Sequence, residues 1–423
     1  MNDGGEKTGR VVVTGLGVIS ALGVGMDANW RRLTAGEGGV GRLTRFDPAS
    51  FESRVAGEVP GFDPLAFMDR KEARRMDRFS QFAVAAAREA LAASGLAITS
   101  KNAERVGVIV GTAMGGMAAL DDAYATLAAK GPSRVSPFFV PMMLADLAAG
   151  QVSILLGAKG PNWAPVSACA TGAHALGEAA SIIRRGDADV ILAGGAEAPL
   201  SPVALAGYGS MGALSTHNDD PTRASRPFDK TRNGFVLSEG GAVLVLESEE
   251  HARARGAVIL AEIAGYGATA DAHHMVEPSP GGEGAARAMR AALRSAGADP
   301  ATVDYLNAHG TSTPTNDRLE TAAIKAVFGD EGARRLSISS TKGATGHTLG
   351  AGGAIEAAYV VMTLVTGTIP PTINLREPDP ACDLDYTPNE ARHDRAVRVA
   401  MTNSLGFGGH NACVVLRRAE EMR

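Results

Sequence analysis

The chain carries only three cysteines in 423 residues, Cys169, Cys382 and Cys413, widely spaced and odd in number. No C-x-x-C pair occurs, so neither a zinc site nor a disulfide framework is indicated. Aromatic residues are scarce, at 5%, which argues against an aromatic-rich binding surface. No run of about 18 apolar residues occurs, so no membrane-spanning helix is expected. The polar start M-N-D-G-G-E-K-T-G lacks the apolar segment of a secretion signal. A net charge of −5 gives no basic field to attract nucleic acid or an anionic membrane. These absences predict a cytoplasmic protein with neither nucleic-acid nor membrane partners.

Present instead are 52 glycines and 45% hydrophobic residues, a composition suited to tight turns and closely packed small-residue helices. Residues 1–9 read as a flexible N-terminus. Apolar runs at 10–14, 106–112, 189–193, 242–247, 258–266, 303–307, 336–340, 398–402 and 412–416 read as strands. Helical patterns fall at 70–93, from Met142, from Cys169 to Arg185, and at 285–296, 316–328 and 350–366. Alternating strands and helices predict a mostly parallel sheet covered on both faces. V-S-A-C-A-T-G-A-H-A-L-G at 166–177 is echoed by S-S-T-K-G-A-T-G-H-T-L-G at 339–350. The echo suggests a duplication: an N-terminal half over 10–250 and a C-terminal half over 251–418, stacked on a shared layer of central helices.

Cys169 follows the apolar run Trp163–Val166 and precedes a helix, at the positive end of its dipole. That position favours thiolate; a small buried packing residue is the other reading. His309, in N-A-H-G-T-S-T-P, and His347, in S-T-K-G-A-T-G-H, lie in glycine-bearing turns after buried strands. Open α/β sheets bind their ligands at such strand ends. One thiol and two imidazoles together could supply a nucleophile, oxyanion donors and acid–base capacity. Lys342 shares the His347 turn and either holds a carboxylate, tunes a histidine, or is exposed. The G-F-G-G loop at 406–409 either brings backbone N–H groups to a ligand or is an ordinary hairpin turn.

S-A-C-A-T-G, N-A-H-G-T-S-T-P, S-T-K-G-A-T-G-H and N-S-L-G-F-G-G-H-N, in this order, resemble the motifs of the β-ketoacyl-acyl carrier protein synthases. The resemblance is to the elongating, synthase II-like enzymes of fatty acid and type II polyketide synthesis. It extends from Arg10 to Leu416 through V-V-V-T-G-L-G-V-I-S, S-P-F-F-V-P, A-S-R-P-F-D-K and P-P-T-I-N-L. It implies a thiolase-like α/β fold of two duplicated halves in five αβαβα layers. It also implies a decarboxylative condensation that extends an acyl chain on Cys169 by two carbons. His309 and His347 would stabilise the enolate, Lys342 would support them, and the N–H groups of Cys169 and Phe407 would form the oxyanion hole. Thr311, Thr313, Leu405, Phe407 and Gly408 would meet substrate. Lys71, Arg74, Arg75 and Arg134 would dock an acyl carrier protein. The phosphopantetheine arm arrives on that partner, so no cofactor or metal is expected. A homodimer is implied, with a heterodimer containing a non-catalytic chain-length partner as the alternative. Leu405 for the usual Phe, His410 for a common Thr, Asn316 for Gly and His217 for Arg depart from the pattern.

Overall fold

A computed structural model describes residues 9–419; all but the last residue of the N-terminal segment expected at 1–9 lies outside them. Ten strands build the central architecture. They are β1 (Val11–Ser20), β2 (Val106–Gly111), β3 (Asn162–Trp163), β4 (Val190–Glu197) and β5 (Gly240–Ser248) in the first half. The second half supplies β6 (Ala261–Ala270), β7 (Tyr305–Asn307), β8 (Ser337–Ser339), β9 (Val399–Gly406) and β10 (His410–Arg418). Their spatial orders are β3-β2-β4-β5-β1 and β8-β7-β9-β10-β6. Adding five to each strand number of the first half gives the second, so the duplication is written into the topology. The two sheets meet where Val12 and Val13 pair with Glu262 and Ala261.

The sheet is mixed, not mostly parallel. Pairs reached through helical crossovers are parallel, as β2 with β3 and β4, and β7 with β8 and β9. β9 and β10 are antiparallel because a three-residue turn, Phe407–Gly409, joins them. β4–β5 and β5–β1 are antiparallel as well.

Helix α1 (Arg78–Ser94) covers the outer face of the first sheet, on β1, β5 and β4. Two helices lie between the sheets and touch strands of both: α2 (Thr171–Arg184) and α3 (Gly352–Thr366). Helix α4 (Glu283–Ala296) covers the outer face of the second sheet. Five layers result. The stretch Leu349–Thr366 is long and apolar enough to span a bilayer, but it is 83% buried as part of this central layer.

Small residues set the spacing of the centre. A Cβ on Gly172 would lie 2.7 Å from the backbone nitrogen of Ala354, and one on Gly353 would lie 2.7 Å from that of Ala173. Side chains there would separate the helices, because interiors packed at crystal density do not yield by an ångström without cost.

Three local expectations need correction. The helix expected over 70–93 is broken: Arg70–Ala73 ends, and Asp77 caps a fresh helix by accepting from the Phe79 nitrogen. The apolar run Trp163–Val166, read as leading into a strand-to-helix turn at Cys169, is strand only as far as Trp163. The repeated A-T-G is not the structural repeat. Residues 342–345 form a short turn of helix before His347, and α3 begins at Gly352. The equivalent turns are Ala168–Ala170 and Leu349–Ala351, each a 3-10 turn opening a central helix. Each starts on a residue at positive φ, 49° at Ala168 and 45° at Leu349. Cys169 is therefore the counterpart of Gly350.

Candidate active site

The turn Ala168–Ala170 holds Cys169 at the amino end of α2, with its thiol buried. Ala168 is one of few non-glycine residues at positive φ, and such strain persists where the surroundings over-determine it. His309 follows β7, and His347 follows the short helical turn after β8. The structure brings all three together. His347 Nε2 lies 3.1 Å from Cys169 Sγ, and the two imidazole rings meet edge to face with centroids 5.3 Å apart. Sulfur and ring nitrogens lie within 4.8 Å of one another. They face a cavity of about 260 Å³ also lined by Thr311, Thr313, Leu405 and Phe407.

The G-F-G-G loop is a hairpin turn and also a wall of the site, so its two readings coincide. Backbone N–H groups of Phe407 and Cys169 bear on the sulfur. Gly406 lets them do so: a Cβ there would lie 2.8 Å from the Ser167 carbonyl oxygen and 3.1 Å from the Cys169 nitrogen. Gly408, at φ 83°, turns the chain on the exposed side. The turn is tied to the facing loop by hydrogen bonds from Gly408 N to Met275 O and from Asp271 N to Gly409 O, 2.8 and 2.9 Å. Thr311 and Thr313 share a hydroxyl hydrogen bond of 2.9 Å.

Lys342 is not an exposed turn lysine. It is 2% exposed and its Nζ is paired with Glu356 on α3. A second carboxylate, Glu320, accepts from the backbone nitrogens of His309 and Gly310, both at 2.8 Å, and from Asn403 Nδ2 at 3.2 Å. A third, Glu197 at the end of β4, lies below the Cys169 pocket with four hydrogen-bond donors. None of the three glutamates was singled out by motif. Glu356 and Glu197 leave one signal in the sequence, an acid inside an otherwise apolar helix or strand, as in G-G-A-I-E-A-A-Y and A-G-G-A-E; Glu320, in N-D-R-L-E-T, leaves none.

Burial decides the protonation states. It pushes the Cys169 thiol up to about 12, against the opposing pull of the Lys342 charge and of the Phe407 and Cys169 N–H groups; Glu197 adds to the rise. Burial thus outweighs the pull toward thiolate expected of the helix terminus. His309 and His347 are driven well below the ordinary imidazole range, first by burial and then by the Lys342 charge. The resting site is a neutral thiol beside two neutral imidazoles.

Remaining candidates fall as follows. Lys71, Arg74 and Arg75 line a surface cavity of about 340 Å³ with Arg70 and Phe138. Arg134 is exposed four residues before Phe138 and does not line it. His174 is a packed hydrogen-bonding residue, its Nδ1 2.6 Å from Ser167 Oγ. His274 Nδ1 accepts from Val276 and Glu277 backbone nitrogens in an exposed loop. Cys382 and Cys413 are buried away from the site.

A raised thiol makes a direct prediction. Alkylation of Cys169 by iodoacetamide, followed by mass spectrometry of its peptide, should keep accelerating from pH 7 to pH 10. A plateau already at pH 7 would mean that the resting group is a thiolate.

Comparison with known proteins follows the same lines. The N-terminal domain model of the β-ketoacyl synthases matches residues 8–252, and the C-terminal domain model matches residues 260–376. A protein of Staphylococcus aureus (strain COL) named 3-oxoacyl-[acyl-carrier-protein] synthase 2 is 52% identical over 411 residues, 97% of this chain and 99% of that protein. Two solved structures superpose with a TM-score of 0.90, each covering 97% of this chain. One is a type II PKS acyl-carrier protein in complex with its ketosynthase bound to the hexaketide, at 36% identity and 100% coverage of that chain. The other is the ishigamide ketosynthase/chain length factor, at 38% and 99%. With its thiolase-like fold, its two matched domains and these relatives, the chain belongs to the β-ketoacyl synthase family.

Proposed function

We propose that this protein is an elongating β-ketoacyl-acyl carrier protein synthase, in which Cys169 carries the growing acyl chain. The 3.1 Å approach of His347 Nε2 to Cys169 Sγ, with His309 in the same cavity, carries this reading. Cys169 sulfur attacks the thioester carbonyl of an acyl-carrier protein, and the carrier thiol leaves with the proton. Because the resting group is a neutral thiol, the sulfur gives up its proton as it attacks, and that proton ends on the departing carrier sulfur. The N–H groups of Cys169 and Phe407 receive the charge that develops on the carbonyl oxygen. A malonyl-carrier thioester then binds, with Thr311 and Thr313 along the phosphopantetheine arm and Phe407 and Leu405 lining the cavity, while Gly408, expected to meet substrate, lies outside that lining. Neutral His309 and His347 donate to its carbonyl oxygen. The C–C bond to the carboxylate breaks, CO2 leaves, and its electron pair becomes the enolate. The enolate carbon attacks the acyl thioester, a new C–C bond forms, the C–S bond breaks, and Cys169 departs as a thiolate that takes a proton from solvent to regenerate the resting thiol. Decarboxylation itself generates the carbanion, so the chemistry calls for no metal or redox group. Burial holds both imidazoles neutral, and Lys342, paired with Glu356 behind them, adds to that effect.

The 52% identity to a 3-oxoacyl-[acyl-carrier-protein] synthase 2, against 36% to a type II PKS ketosynthase and 38% to the ishigamide ketosynthase/chain length factor, favours fatty acid synthesis over a polyketide pathway. Lys71, Arg74 and Arg75 form a basic rim for an acidic carrier protein, and the Arg75 guanidinium stacks 4.8 Å over the Phe138 ring. A second copy of the chain is the proposed partner at β3. That strand ends the sheet, and Trp163, Val166 and Ile154 around it are 41–71% exposed, an open apolar edge that pairing would cover.

Three outcomes are expected. Cys169→Ala abolishes acyl transfer from acyl-carrier protein, while His309→Ala leaves Cys169 acylation measurable and slows malonyl decarboxylation by about 100-fold or more, the scale of losing an oxyanion donor. Full elongation by Cys169→Ala would sink the assignment, and loss of acylation alone in His309→Ala would reverse the division of roles. Arg74→Glu with Arg75→Glu raises KM for carrier protein about tenfold with kcat little changed, an effect that shrinks in high salt; an unchanged KM would remove the patch from docking. Sedimentation should give a dimer for the wild type and a monomer for Trp163→Asp with Val166→Asp. A wild-type monomer that associates only with a homologous chain would support the heterodimer instead.

A further inference from the structure

Glu197 is fully buried at the last position of β4, and the condensation as written makes no use of it. Every one of its hydrogen-bond partners is a donor. Oε1 accepts from Thr112 Oγ1 at 2.7 Å and from the Met114 nitrogen at 3.2 Å; Oε2 accepts from the Ala113 nitrogen at 2.7 Å and the Gly350 nitrogen at 3.0 Å. A carboxylate satisfies four donors with its two oxygens, whereas an amide or a protonated acid must turn a hydrogen toward one of them.

The duplication sharpens what this group does. Cys169 and Gly350 occupy equivalent turns. At the end of β9, Gly406 has no side chain, so the Cys169 N–H stays open to the cavity. At the equivalent end of β4, Glu197 reaches the Gly350 N–H and occupies it. The two segments that it ties, Ala113–Met114 and Leu349–Gly350, pack with Cys169, Leu205 and Tyr208 in one apolar cluster. Tyr208 Oη lies 3.7 Å from Met114 sulfur.

We propose that Glu197 is a positioning residue of the condensing site, whose carboxylate clamps the Ala113–Met114 loop to the Leu349–Gly350 turn and so fixes the apolar wall beside Cys169 along which the acyl chain lies. This rests on Cys169 being the acyl carrier. Long chains depend on that wall over more of their length than short ones. Burial lifts Glu197 to about 7 against its four donors, so the clamp loosens as pH falls through neutrality. The titratable groups facing it are Cys169 and Tyr208, both raised by burial and by Glu197 itself. Glu356, lifted to the same range, pairs with Lys342 on the other side of the histidines.

The test compares acylation of Cys169 by a four-carbon and a fourteen-carbon acyl-carrier protein, from pH 5.5 to 8.5, in the wild type, Glu197→Gln and Thr112→Val. In Glu197→Gln the short chain should transfer within about twofold of the wild-type rate and the long chain about tenfold more slowly, the scale of a sub-ångström misplacement. Its long-to-short ratio should no longer change with pH, whereas in the wild type that ratio falls on acidification. Thr112→Val, which keeps the carboxylate and removes one donor, should shift that fall to higher pH, and it decides the matter if the glutamine variant does not fold. Equal losses for both chains, or an unchanged ratio and pH profile in both variants, would overturn the proposal. Failure of either chain to label Cys169 in the wild type would instead overturn the assignment on which it rests.

Discussion

The backbone contact between the two central helices is the constraint on which the site depends. Gly172 and Gly353 each leave room for the other helix's backbone, within 2.7 Å of where a Cβ would stand. That approach carries the amino end of α2 to the turn before α3. It brings Cys169 and His347, 178 residues apart in sequence, to 3.1 Å. A separation wider by one methyl group would move sulfur out of hydrogen-bond reach of the imidazole. Small residues at the centre thus bring thiol and imidazole into contact as well as solving a packing problem.

Burial that tight imposes an electrostatic problem. Desolvation raises the thiol and lowers both imidazoles. The one buried cation among these groups, Lys342, is tolerated because Glu356 is paired with it; an isolated ammonium there would lose its proton instead. Its field opposes the rise of the thiol and reinforces the fall of the imidazoles. The result is a site whose hydrogen-bond donors are neutral and fixed before substrate enters. Donors of this kind stabilise a developing oxyanion without reorganising. Glu320 does for the His309 turn what Glu197 does for the Gly350 turn: each ties backbone N–H groups that β-structure leaves unpaired.

Much of this was legible in the residues. Cys169, His309 and His347 stood out because reactive side chains in glycine-bearing turns after apolar runs mark strand ends. The G-F-G-G turn stood out because glycines let backbone N–H groups come close to a ligand. The glutamates were not legible, since an acid's role here is set by which distant N–H groups reach it, and no local spacing encodes that. Strand direction was missed for a related reason. The alternation of strands and helices predicts parallel pairing, yet the three-residue turn after Gly406 reverses β10. The A-T-G echo misled because composition repeats more readily than register. Matching positive φ at Ala168 and Leu349, visible only in the backbone, gives the true alignment.

That alignment explains why a duplicated fold has one reactive cysteine. Two equivalent turns begin two equivalent helices, and each offers a backbone N–H at the end of a sheet strand. In one turn the strand ends in Gly406, and the N–H is left to bear on Cys169 sulfur. In the other it ends in Glu197, and the N–H is consumed internally beside a glycine that has no nucleophile to offer. At the site the two halves differ in a cysteine on one side, a glutamate on the other, and histidines from the second half reaching across. The first half thus supplies the thiol, the second half supplies both imidazoles, and the Gly350 turn stands beside Cys169 as part of its wall.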